Sequence, residues 1–331
     1  MTESSMRAII IRDHGGPEQL QLWEWEKPEP GPEELLVRIH ATALNRADTL
    51  QRQGKYPPPP GASPILGLEM AGEIVGAGRE VDKWQLGDKV CGLLSGGGYA
   101  EYCVIHQDMA MPIPVGWSYT QAAAIPEAFL TAYQGLFWLG ELQSRQKVLI
   151  HAGGSGVGTA AIQLARTVEA EIYITASSAK HEFCQMLGAT YSYDYKEEDF
   201  SELINEQTSH KGINVILDFV GAPYFQRNLS CLSMDGKLVM LGFMGGAMLE
   251  NVNLGPILRK RASLRGSTLR NRSEEYKIKL TRAFQTYAWP RFEANVMKPV
   301  LDKVFAWDQV VEAHRYLEAN QNTGKVILEL D

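Results

Sequence analysis

The 331-residue chain predicts an α/β protein in which a doubly wound parallel sheet is joined to a mostly-β domain. Three observations carry this. Apolar strand-like runs alternate with amphipathic stretches through the middle of the chain, a glycine-rich turn follows the first of those runs, and the first third consists of short strand-like runs broken by Gly and Pro. The alternation buries both faces of a parallel sheet under crossover helices, whereas short strands with frequent turns suit a β domain.

In the first third, residues 6–12, 35–43, 70–75 and 99–104 read as strands and the glycines around 76–78 and 96–98 as turns. The prolines at 57–60 hold a loop, because each fixes its own φ and disfavours helix in the residue before it. Residues 122–124 and 130–139 read as helix and 147–151 as a buried strand. Strands are then expected at 172–175, 213–219 and 237–242, and helices at 159–167, 180–187 and 200–207. A long helix at 273–287, an apolar run at 304–307, a helix at 309–319 and a strand at 325–330 complete the chain.

With 45% hydrophobic and 21% charged residues the chain has apolar material for one large core or two smaller ones. A net charge of −7 without a dense Lys/Arg block argues against nucleic acid and against an anionic membrane surface as partners. The apolar stretch at 8–11 is too short for a secretory segment or a membrane span, so a cytoplasmic protein is expected. Cys91, Cys103, Cys184 and Cys231 are widely spaced, which suggests reduced, partly buried thiols rather than zinc or disulfide pairs.

The strongest chemical signal is the apolar strand ending near His151 that runs into Gly153, Gly154, Ser155, Gly156, Val157 and Gly158 and then into helix-forming sequence. A strand, a glycine turn and a helix N-terminus let backbone N–H groups meet a pyrophosphate, which is the dinucleotide-binding arrangement of a Rossmann domain. Ser155 replaces the central glycine of the usual G-x-G-x-x-G spacing, and its hydroxyl can donate to the phosphate or shift the nucleotide. At the end of the second strand no Asp or Glu is present to accept from a ribose 2′-OH. Ser177, Ser178 and Lys180 stand there instead and offer hydroxyls and a cation to a 2′-phosphate, which favours NADPH over NADH. Ser178 equally suits a helix N-cap. Tyr195, after the third strand, reaches the phosphate or simply packs.

The N-R-A-D run at 45–48, the segment 51–56, the G-L-E run at 67–69, the A-A-x-I-P run at 122–126 and the H-A-G-x-S-G-V-G run at 151–158 resemble the zinc-free quinone oxidoreductases, the zeta-crystallin-like branch of the medium-chain dehydrogenase/reductase superfamily. Residues 194–200 and 322–328 extend the resemblance, which covers nearly the whole chain and is greatest toward animal members of that branch. It implies a GroES-like catalytic domain, made from 1–122 and 300–331, and a Rossmann NADPH-binding domain at 123–299, with a substrate cleft at their junction. It also implies a homodimer formed by pairing sheet edges, for which the candidate edge is 262–267.

The resemblance also implies which residues act. Zinc-dependent relatives use a cysteine, the histidine of a G-H-E run and a third ligand; here the first position falls at 45–48, which has no cysteine, and Leu68 replaces the histidine. No metal is therefore expected, and oxidation of a simple alcohol is disfavoured without a Lewis acid. A quinone needs less help, because hydride addition forms a delocalised phenolate. Tyr56 is the candidate for touching the acceptor, by hydrogen bonding or stacking, or it anchors its loop. Asn45 is a candidate polar wall beside the nicotinamide, and Asp48 is a candidate cap for a helix at 46–53. Thr131, expected at the start of a helix leading into the Rossmann domain, Gly221 and Gly242 are expected near the cofactor, and Phe243 or Met244 is expected to touch it through the backbone. Asn322 and Lys325 resemble positions near the nicotinamide, a surface lysine being the alternative. The expected activity is NADPH-dependent quinone reduction, with reduction of activated C=C bonds or a crystallin-like binding role as alternatives.

Overall fold

The structure is a computed structural model and describes residues 4–330. The chain divides into two compact units, one of Met1–Leu130 with Leu269–Asp331 and one of Thr131–Thr268. The first stretch contains β1 (Ser5–Ile11), β2 (Leu20–Glu26), β3 (Glu34–Ala43), α1 (Arg46–Arg52), β4 (Glu69–Ala77), β5 (Lys89–Leu93), β6 (Tyr102–His106), β7 (Ala110–Pro112), α2 (Tyr119–Ala123) and α3 (Pro126–Tyr133). The middle contains β8 (Lys147–Ile150), α4 (Gly156–Arg166), β9 (Glu171–Ala176), α5 (His181–Leu187), β10 (Tyr191–Asp194), α6 (Phe200–Gln207), β11 (Ile213–Asp218), α7 (Ala222–Cys231), β12 (Leu232–Met240), α8 (Gly255–Arg259) and β13 (Ser263–Gly266). The chain ends with α9 (Glu274–Glu293), β14 (Leu301–Ala306), α10 (Val310–Glu318) and β15 (Lys325–Glu329).

In the second unit six parallel strands lie in the order β10-β9-β8-β11-β12-β13. This is the Rossmann order, with the direction of winding reversing between β8 and β11. Strands β8, β9 and β11 are buried along almost their whole length, as expected when helices cover both faces. Helix α4 approaches its strand closely because Gly158 has no side chain: a Cβ there would stand 2.3 Å from the Ala152 carbonyl oxygen.

In the first unit the sheet path is β14-β15-β3-β4-β5-β7, with β6 also pairing β3. Strand β15 runs antiparallel to β3, so the tail completes the sheet begun in the first third. Its Val326 and Leu328 join Leu35, Val37, Met70, Ile74 and Val90 in one core. Strands β1 and β2 form a separate antiparallel pair.

The boundaries differ from those expected. Residues 123–130 and 269–299 group with the first unit and not with the Rossmann unit. The cause is aromatic: Phe129 of α3 meets Phe292 of α9 edge-on at 5.3 Å, and Phe284, Trp289 and Trp117 close around them. An amphipathic pattern shows that a helix has a buried face and not which sheet lies beneath it. Two smaller differences are that Gly76 lies within β4 and that the run from Tyr99 becomes strand only at Tyr102.

Phe292 is fully buried in this cluster. Phe292→Ala is expected to cost about 3–5 kcal/mol, read as a lower urea midpoint, and an unchanged midpoint would detach α9 from the core of the first unit.

Candidate functional site

In the second unit the structure gathers nearly all the expected cofactor residues at the carboxyl ends of the parallel strands. Gly153, Gly154, Ser155, Gly156, Val157 and Gly158 form the turn from β8 into α4. Ala152, just before them, adopts φ 51°, a left-handed conformation that a non-glycine residue takes only where the turn demands it. Ser155 is the N-cap of α4, and its Oγ accepts from the Gly158 N–H at 3.0 Å. The hydroxyl proton stays available as a donor, so capping and phosphate contact are compatible.

Ser177, Ser178 and Lys180 follow β9 in a short 3-10 turn. A Cβ on Gly154 would lie 2.6 Å from Lys180 Cδ, so the lysine stem crosses the glycine turn. Two separate sequence signals thereby become one site. Ser178 is not the N-cap, since that position is held by Ser177 without a side-chain bond. The Ser178 N–H instead donates to Asp194 Oδ2 at 2.9 Å, and Asp194 Oδ1 accepts from Lys196 N–H at 3.0 Å. These amides hold the Asp194 carboxyl below the usual range. Tyr195, half exposed, comes next.

Gly221 follows β11 with φ 86°, and a Cβ there would meet the Phe243 ring at 2.6 Å. Gly242, Phe243 and Met244 follow β12, which ends in the same row. The Met244 N–H already donates to the Phe219 carbonyl oxygen at 3.0 Å, so that amide is withdrawn from the expected backbone contact. Thr131 lies inside α3 and not at the start of a helix.

A buried chain of hydrogen bonds that the sequence did not reveal runs beneath these loops. Asp218 Oδ1 accepts from the Val220 and Gly221 N–H groups, at 2.7 and 3.1 Å, and Oδ2 accepts from Asn228 Nδ2 at 3.1 Å. Asn228 Oδ1 lies 2.7 Å from His151 Nε2, and His151 Nδ1 lies 2.9 Å from Thr175 Oγ1. Because a carboxylate only accepts, the directions follow: Asn228 donates to Asp218, His151 Nε2–H donates to Asn228, and Thr175 donates to His151. Burial keeps the imidazole neutral by lowering its pKa. The chain ties the end of β9 to the loop after β11.

In the first unit Asn45 and Lys325 come together around Glu69. Lys325 Nζ donates to Glu69 Oε1 at 2.6 Å, to Asn45 Oδ1 at 2.7 Å and to the Leu44 carbonyl oxygen at 3.1 Å. Asn45 Nδ2 donates to Glu69 Oε1 at 2.8 Å, and Glu69 Oε2 accepts from the Glu127 N–H at 2.8 Å. Lys325 is thus a buried lysine, the surface alternative being wrong, and the Asn45 amide is held on both sides. Asn322 is buried, and its Nδ2 donates to the Gly324 carbonyl oxygen at 2.7 Å. The Tyr56 ring centroid lies 5.4 Å from the Arg270 guanidinium carbon, and burial, with the Glu127 charge, raises its hydroxyl pKa.

Asp48 does cap α1, its Oδ2 accepting from the Asn45 N–H at 2.7 Å. Burial raises it to about 6. Tyr99 OH donates to it at 3.3 Å, and His314 Nε2 lies 3.2 Å from that hydroxyl. Arg52 Nη1 can only donate to His314 Nδ1, at 3.0 Å, so the ring proton sits on Nε2. Burial and the Arg52 charge push His314 down to about 3. All four cysteines are buried thiols, with pKa values raised by burial.

Residues 156–285 match the zinc-binding dehydrogenase family and residues 31–115 the alcohol dehydrogenase GroES-like domain. The chain is 31% identical over 97% of its length to the synaptic vesicle membrane protein VAT-1 homolog of Danio rerio, covering 69% of that protein. It is 32% identical over 97% of its length to a quinone oxidoreductase of Pseudomonas aeruginosa, covering 99% of it. The crystal structure of CurK enoyl reductase superposes with a TM-score of 0.88 at 27% identity, over 99% of this chain and 100% of that one. The chain therefore belongs to the medium-chain dehydrogenase/reductase superfamily and is an oxidoreductase of the nicotinamide-using kind. Its first unit is the GroES-like domain and its second the Rossmann domain.

The zinc implied by the first family description does not fit the side chains present. Glu69 is already paired with an ammonium, Leu68 offers no donor atom, and among the described residues no group of three or more His, Cys, Asp or Glu side chains is placed to hold a metal ion.

The buried histidines set a pH dependence. His314 is neutral when folded and titrates at about 6.5 when unfolded, so below that value the unfolded chain binds more protons and stability falls with pH. Asp48, raised to about 6, acts in the opposite direction between about 4 and 6 and offsets part of the loss. The melting temperature is expected to drop between pH 7.5 and 5, and His314→Gln to drop less steeply over the same range. An equal slope in the variant would assign the loss to other groups.

Proposed function

We propose that the chain is a zeta-crystallin-like enzyme that reduces quinones with NADPH by hydride transfer and without zinc. The observation that carries this reading is the Lys180 stem lying across Gly154, which joins a cation and two serines to a pyrophosphate-binding turn. NADPH, when bound, supplies the hydride. The Gly156 and Val157 N–H groups at the head of α4 meet the pyrophosphate, and Lys180 with the Ser177 and Ser178 hydroxyls meets the 2′-phosphate, with Tyr195 beside it. Asp194 spends both oxygens on backbone amides, which moderates its repulsion of that phosphate. Thr131, Gly221, Gly242 and Phe243 are the Rossmann unit's candidates for the nicotinamide half. Tyr56 positions the acceptor.

Zinc is dispensable in this reading because the hydroquinone anion delocalises its own charge and takes its proton from water. The similarity to CurK enoyl reductase favours a second reading, reduction of an activated C=C bond with the same residues. The unit pairs through β13, an edge strand, which is preceded by the exposed apolar side chains Met248, Leu254 and Leu258, as a homodimer requires. A cytoplasmic setting belongs to the same reading; among the described residues no helix is long and apolar enough to cross a membrane.

NADPH and NADH oxidation against 1,2-naphthoquinone, 1,4-benzoquinone and a 2-alkenal, with EDTA present, tests the reading. Chelator-insensitive quinone turnover with NADPH is expected, and turnover of the alkenal alone moves the assignment to C=C reduction. Lys180→Met is expected to weaken NADPH about 10–100-fold while leaving NADH nearly unchanged, the size of a lost charge-assisted contact of about 1.5–3 kcal/mol. Equal effects on both nucleotides would remove Lys180 from the 2′-phosphate.

A further inference from the structure

Arg270 is 5% exposed, yet Nη1 and Nη2 of its guanidinium are buried without a hydrogen-bond partner. Only its Nε is used, donating to the Ser95 carbonyl oxygen at 2.8 Å. Leaving the terminal donors of a charged group unmet out of water is costly, and folded proteins meet nearly all such donors with a protein group, an ordered water or a bound anion. One residue supplies a second cation: Lys277, 6% exposed, donates to the Ser95 hydroxyl at 2.7 Å. Burial is the largest influence on both cations, lowering their pKa values, and Glu127 is the carboxylate that opposes this at both. Asp48 also acts on Arg270, but its oxygens are engaged by Asn45, Gly67 and Tyr99. Asp48 and Glu127 act on Arg270, and Glu127 and Glu274 on Lys277, yet no carboxylate bonds to either terminal nitrogen of Arg270, whose donors stay unmet. The Tyr56 ring stands against the same guanidinium.

We propose that Arg270 and Lys277, both anchored on Ser95, form an anion-recognition subsite next to Tyr56 that selects acceptors carrying an acidic substituent, a carboxylate or sulfonate. The inference rests on the reading that Tyr56 meets the acceptor. The ring system of such an acceptor stacks on or bonds to Tyr56, while its acidic group takes the two Nη donors as a bidentate partner, the geometry in which guanidinium prefers an oxyanion. Lys277 adds charge without directional demand. The subsite therefore sets KM more than the rate of hydride transfer.

The test uses the full chain. Calorimetry compares the redox-inert 2-naphthalenesulfonate with uncharged 2-naphthol, and steady-state rates with NADPH compare 1,2-naphthoquinone-4-sulfonate with 1,2-naphthoquinone. The sulfonates are expected to bind at least tenfold more tightly and to show a correspondingly lower KM. Arg270→Met should abolish that preference, and Lys277→Met should reduce it several-fold, with the NADPH dissociation constant unchanged. Arg270→Met should also melt no lower than the parent, because it removes a buried unmatched charge; if that variant fails to fold, Lys277→Met carries the same comparison. Equal affinity for charged and uncharged ligands, or a preference that survives Arg270→Met, overturns the subsite. Sulfonate binding that depends on Arg270 without turnover of either quinone keeps the subsite and removes the quinone reading.

Discussion

The ion pair between Glu69 and Lys325 is the contact on which the first unit is organised. The Glu69 side chain is fully buried, and its two oxygens reach the ammonium at the head of β15, the Asn45 amide at the start of α1 and the Glu127 amide at the start of α3. One carboxylate thus fixes four segments separated by up to 256 positions in sequence. A buried pair of this kind contributes little net stability against an apolar replacement, but removing one partner strands a charge and costs about 3–5 kcal/mol. Its value lies in specifying one arrangement, since every donor it uses comes from a different element. The same pair leaves Glu69 with its charge already met by a lysine and its oxygens engaged.

The Rossmann unit satisfies its buried carboxylate, Asp218, with neutral donors instead of a cation. Thr175, His151, Asn228 and Asp218 form a chain whose donor directions are all set by the carboxylate at one end. It fixes the exit of β9, which leads to Lys180, relative to the loop at Gly221. Those are the two regions expected to meet opposite ends of a dinucleotide, so an apolar-looking sheet end is in fact ordered by a polar thread. The two units thereby differ in electrostatics: the first meets its buried carboxylate with an ammonium, whereas the second meets Asp218 with amides.

Much of this was legible in the sequence for a definite reason. Strands such as 147–151 and 213–219 are continuous apolar runs because helices cover both sheet faces, and a glycine turn between strand and helix has few other uses. What could not be read depended on contacts made at long range. Strand β2 is largely exposed and so lacks a burial pattern, and the amphipathic face of α9 does not name its partner. Lys325 and Lys180 look alike as letters; only the fold buries one against Glu69 and lays the other across Gly154. Arg270 and Lys277 sit in and beside a charged helical stretch that reads as a solvated face, and nothing local marks them as buried. Glu69 and His151 were at least visible, each within a motif, but as family markers and not as centres of hydrogen-bond networks.

The placement of β15 also governs the order in which the polypeptide can mature on the ribosome. The Rossmann unit is contiguous and has every strand it needs once residue 268 has emerged. The GroES-like unit, although begun first, must wait for residues 325–329, because β3 gains its β15 partner and Glu69 its counterion only then. During that interval Ala41–Ala43 of β3 are an unpaired edge beyond the stretch paired by β6, and Glu69 is an unmatched charge, the kind of exposure that invites wrong pairing in a growing chain. Synthesis therefore runs from the outside inward and back: the domain named first by sequence is the domain finished last.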